Sequence, residues 1–113
     1  MHTAILLDGS KNPISILLDP KTDGRPPSLS WGGSATTPAK HFNFVRSVVR
    51  DKGQPEEKEV LIYKHYKLNL DAPVLGLRAT DGHVLSVGEQ GELMADEFLY
   101  PEKYVEVGVA AAA

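Results

Sequence analysis

The chain has 113 residues, with 12 Lys and Arg against 15 Asp and Glu, no Cys and a formal net charge of −3. That length suits one domain-sized core, and the negative balance gives no global attraction for nucleic acid or anionic lipid. The lack of cysteine removes disulfides, thiolate nucleophiles and thiolate metal sites together.

The opening MHTAILLDGSK has a four-residue apolar run with no basic stretch before it, which does not read as a secretory signal. No uncharged apolar stretch is long enough to cross a bilayer. The expectation is a soluble protein, cytoplasmic by default and with no membrane partner. Ala4 to Leu7 and Ile14 to Leu18, separated by DGSKNP, read as paired strands of a hairpin over 4–18.

From Asp19 to Thr37 the sequence DPKTDGRPPSLSWGGSATT is crowded with turn residues and has no sustained period. This Pro/Gly/Ser-rich loop at 19–37 holds Trp31, the only tryptophan, and a connection of such length tends to be functional. Leu29 and Trp31 flank Ser30, so a three-residue edge strand fits here.

TPAKHFNFVRSVVRDKG predicts one helix over about residues 38–51. Thr37 serves as N-cap, Pro38 takes the first helical position and Gly53 terminates. Phe42, Val45 and Val49 share a face that Phe44 and Val48 extend, with Arg46 and Arg50 on the solvated side. Three valines and two phenylalanines in this stretch pull toward strand.

EVLIYKHYKLNL reads as a long strand with one face on a core, its face carrying Val60, Ile62, Tyr66, Leu68 and Leu70. PVLGLRATDGHVLSV reads as a hairpin around a two-residue Asp81-Gly82 turn. GEQG then makes another reversal, and YVEVGV forms a last alternating strand before alanines that fray. The fold class expected is α+β: a mostly antiparallel sheet or small barrel-like β domain with one helix, in one domain over 1–113.

The strand LGLRA, the turn TDGH, the strand VLSV, the hairpin GEQG and the strand YVEV together resemble one repeat of the β-trefoil pattern of fascin-like proteins, over residues 67–107. A trefoil needs three such units, and no copy of the DGH hairpin precedes residue 60. The resemblance implies a non-catalytic binding protein, and no residue role transfers from it because the family's binding residues vary with the member.

His41, His65 and His83 lie 24 and 18 residues apart, which matches no local zinc spacing, and no metal is expected. Asp8, Asp23 and Asp81 each precede Gly, where the carboxylate closes a turn. DPKTDGR offers too few oxygens for calcium. SWGGS is not a nucleophile elbow and GGSATTP is not a phosphate loop, so no cofactor and no catalytic residue are assigned.

KHYK with Tyr63 interleaves rings and cations as a nucleic-acid platform would, but EEKE lies just upstream and nucleic acid is not an expected partner. The function expected is a non-catalytic module recognising a protein or glycan through loops, with Trp31, Tyr63, His65 and His83 as ligand-binding candidates. One alternative is a structural or assembly subunit, with a homodimer in view. The other is a small hydrolase or isomerase using His65 or His83 with a distant Asp.

Overall fold

The computed structural model describes residues 2–19, 21 and 24–103. Among them are β1 His2–Leu7, β2 Ile14–Leu18, β3 Ser28–Trp31, β4 Lys40–Arg50, β5 Lys58–His65, β6 Pro73–Arg78, β7 Val84–Ser86 and α1 Val87–Leu99, with a 3-10 turn at Pro101–Lys103. The first five strands form one sheet in the order β2-β1-β5-β4-β3, and β6-β7 is a separate hairpin. Only β1 and β5 run parallel; every other neighbouring pair is antiparallel. The domain is α+β as the composition and patterning predict, and no helix among the described residues is long and apolar enough to cross a membrane.

The helix expected over 38–51 is instead β4, eleven residues of strand. Aromatic and β-branched side chains lose rotamer freedom against a helical turn and pack well on a pleated surface. β4 also has β5 along its length and β3 beside its first residues to complete its ladders. A bulge between Phe44 and Arg46 explains the misleading period. It shifts the parity, leaving Phe42 with the core cluster on one face while Val45 and Val48 pack against the cluster on the other. Spacings of three and four are the trace of that bulge.

β5 is shorter and more deeply placed than a one-faced strand. Val60, Leu61, Ile62 and Tyr63 are all buried in succession, as expected of a central strand covered on both sides. The strand stops at His65, where the Leu68 amide donates to the His65 carbonyl. Leu68 and Leu70 follow as irregular backbone packed against the helix-side core. The hairpin β6-β7 turns through three residues rather than two. The Gly82 amide donates to the Ala79 carbonyl, the Ala79 amide donates to the His83 carbonyl, and Gly82 has φ of 92°.

GEQG is no reversal. It lies in the first turns of α1, which Ser86 caps: its hydroxyl accepts from the Glu89 amide at 3.2 Å while the Glu89 carboxylate accepts from the Ser86 amide at 3.1 Å. Val87, Gly91, Ala95 and Leu99 then recur every four residues as the buried stripe. They close a core with Ile5, Leu7, Val60, Ile62 and Val74. The expected strand at YVEVGV and the alanines after it lie outside the described residues.

The opposite face buries Ala4, Leu6, Leu18, Phe42, Leu61 and Tyr63. Because β2 and β3 occupy opposite edges, the connection between them must span the sheet. It is pinned midway on β5, where the Tyr63 hydroxyl donates to the Pro26 carbonyl at 2.6 Å and Arg25 forms a two-bond ion pair with the Glu59 carboxylate. Residues 24–27 thus lie in a strap over the sheet, followed by the edge strand β3 and then a turn leading into β4.

Candidate functional site

The strap leaves one end of this second face uncovered. There Leu6, Asp8 and Ile14 from the first hairpin meet Trp31, Gly32, Gly33, Thr37, Pro38, Lys40 and Phe42 around a cleft of about 170 Å³. Ile14 and Trp31 belong to strands at opposite edges of the sheet, so the sheet curls and the cleft lies on its concave side. α1 packs on the convex side.

Each wall has a local cause. β3 pairs Trp31 with Lys40 and Leu29 with Phe42, which carries the indole to the rim at 42% exposure. The turn beyond it is held by Ser34, whose amide donates to the Thr37 carbonyl and whose hydroxyl accepts from the Thr36 and Thr37 amides. Gly33 has φ of 94°, and a Cβ there would stand 2.9 Å from the Ala39 nitrogen. Glycine is therefore required on both counts.

Asp8 does two jobs. One carboxylate oxygen closes the turn by accepting from the Ser10 amide at 3.0 Å, as the Asp-Gly pattern predicts. The other lies 3.8 Å from the ammonium of Lys40, a second residue lining the cleft, too far for a hydrogen bond. An oxygen seated to one side of the pair, off the line joining them, would be within hydrogen-bond reach of both. Asp8 and Lys40 escape sequence reasoning because β1 and β4 meet only by flanking β5.

The four predicted ligand residues separate. Trp31 lines the cleft. His65 stands beside it, its ring edge-on to Phe42 at 6.0 Å and 4.9 Å from the Tyr66 ring. Tyr63 is fully buried; its hydroxyl is committed to the strap, and burial raises its pKa. His83 lies near the start of α1 and away from the cleft-lining residues.

His83 is clamped by two carboxylates, with Nδ1 2.6 Å from Asp81 and Nε2 3.0 Å from Glu89. The bonds to Glu89 and then Asp81 raise its pKa, and the same contacts lower theirs. Both ring nitrogens are engaged and the imidazolium is favoured. This geometry leaves no nitrogen to accept a proton from a substrate.

A larger groove of about 890 Å³ runs between α1 and the β6-β7 hairpin, rimmed by Arg78, Glu89, Glu92 and Asp96. Its carboxylates are already engaged. Glu89 holds His83, Glu92 meets Arg46 at 2.8 Å, and Asp96 meets Lys103 at 3.5 Å. Among the described residues no group of His, Asp and Glu is placed to hold a metal ion.

Fold and cleft together define a mixed α+β domain with a curled, mostly antiparallel sheet, one helix on its convex face and an aromatic-rimmed cleft on its concave face. No family model, curated protein or solved structure matches the chain.

Proposed function

We propose that this chain is a non-catalytic binding module for a protein or glycan, and that the Trp31 cleft receives the terminal sugar of a glycan. The observation that carries this reading is the Asp8–Lys40 separation of 3.8 Å in a cleft that a half-exposed indole also lines. A sugar hydroxyl placed there accepts from the ammonium and donates to the carboxylate. Its C–H face meanwhile lies against the ring, which supplies contact area with little entropy to lose.

The size supports a terminal unit. Pockets for drug-sized ligands run to about 300–1,000 Å³, and this cleft is smaller than that range. The turn around Gly33 pre-forms the wall, so little ordering opposes binding.

The chain's single tryptophan provides the assay. Titration with a panel of neutral monosaccharides and oligosaccharides should change Trp31 emission saturably, and Asp8→Asn should weaken the response with the fold intact. Emission unchanged by every sugar up to its solubility limit would sink the glycan reading. A response to a peptide ligand alone would move the site to protein recognition.

A further inference from the structure

The two edges of the sheet are guarded unequally. β3 is four residues long and lies between Pro27 and the Gly32-Gly33 turn. The part of β4 beyond it carries Arg46 and Arg50, which meet Glu92 and Glu102, each at 2.8 Å. Short length, proline and charge are the devices that keep edges from pairing. β2 is one residue longer than β3 and has neither charge nor bulge: ISILL pairs with β1 in unbroken register and Leu17 is 64% exposed, while Pro13 flanks it just as Pro27 flanks β3.

Among the described residues Leu17 also lacks a cover on its own face. It stands opposite Thr3 on the convex side, where α1 packs chiefly over β5 and β1 and leaves Ser15 and Leu17 on an open ledge.

We propose that β2 pairs antiparallel with β2 of a second copy about a two-fold axis at Ile16, joining the two sheets into one. A two-fold contact puts the same segment on both sides. Side chains keep to their own faces only in registers that pair residues of like parity. Of these, only the register centred on Ile16 pairs all five residues: Ile14 with Leu18, Ser15 with Leu17, and Ile16 with its own copy. On the convex side each exposed Leu17 then faces a small Ser15, which leaves it room.

Charge points to a second copy as well. The edge is neutral, so no like charges meet across the axis, and nothing on it would select a charged partner. Five paired residues a side fall short of the roughly 20–30 a side in a standard interface. The dimer is therefore concentration-dependent.

Sedimentation velocity on the whole chain, from low micromolar to millimolar, should show the average mass rising toward twice the monomer. Leu17→Lys should stay monomeric with an unchanged far-UV spectrum. Ile16→Cys tests the register in this cysteine-free chain even if the lysine variant fails to fold. Directly paired residues have Cα atoms about 4.5–5.5 Å apart, within disulfide reach, so mild oxidation should link Ile16→Cys as a dimer. Leu75→Cys, at an 84% exposed position on β6, should not link. A chain monomeric throughout, a dimer that survives Leu17→Lys, or Ile16→Cys linking no faster than Leu75→Cys would each overturn the proposal.

Discussion

Two glycines in α1 should respond to alanine with opposite sign. Alanine in place of an interior helical glycine gains about 1 kcal/mol from the backbone alone. At Gly91 the new Cβ would stand 2.9 Å from Leu7 Cδ1 and 3.2 Å from Ile62 Cγ2, both on fully or almost fully buried side chains. The leucine methyl can rotate only into filled space, and the isoleucine branch is stiff at χ1. Overpacking of this kind costs about 1–3 kcal/mol, and two buried contacts place Gly91→Ala in the upper part of that range. The net is a loss of about 1–2 kcal/mol, or roughly 4–10 °C in Tm for a domain of this size. At Gly88 the Cβ would meet Leu70 at 3.4 Å and 3.6 Å, close to ordinary contact. Its place in the first turn limits the gain to about 0.5 kcal/mol. Urea and thermal unfolding of both variants test the pair. Gly91→Ala as stable as the parent, or both variants shifting in the same direction, would refute the close-approach account of α1.

Tyr63→Phe removes the bond that pins the strap to β5 and should cost about 1 kcal/mol, read by urea denaturation. Limited proteolysis should also speed up near Arg25, and an unchanged cleavage rate would show that the strap is held elsewhere. His83 takes up its proton more readily folded than unfolded, so its stabilisation is whole below about pH 6.5 and fades as pH rises through the folded value. Asp81 and Glu89 release theirs more readily when folded, so their share fades as pH falls below the ordinary carboxylate range. The Tm gap between the parent and His83→Gln should therefore be widest between about pH 5 and 6.5 and narrow on either side; a gap independent of pH would contradict the clamp.

Where local chemistry decides, the sequence was legible. DGSKNP between two aliphatic runs marks β1 and β2, the Asp81-Gly82 turn marks β6 and β7, and Leu29 and Trp31 around Ser30 mark the edge strand. The start of α1 was written too, as Ser86 with Glu89 three residues on, the pattern of a capping box. Gly88 and Gly91 obscured it by looking like turn residues. Gly91 is glycine because α1 approaches β1 and β5 closely, and that contact has no local signature.

The candidate site divides along the same line. An aromatic on a Gly- and Ser-rich segment singled out Trp31, and Asp8 before Gly9 was readable as a turn residue. That Asp8 also faces Lys40 depends on β1 and β4 flanking β5, and that Tyr63 is unavailable depends on the strap crossing above it.

By itself the sequence determined the class, α+β with a β-rich sheet, and most of the short strands, because turn residues and alternation act within a few positions of the chain. Tertiary structure decided that 40–50 is strand, that Gly91 lets α1 approach β1 and β5 closely, and that Trp31 borders a cleft. The bulge in β4 blurs its period, and the partners that resolve each of these choices lie on other strands, beyond the reach of any local pattern.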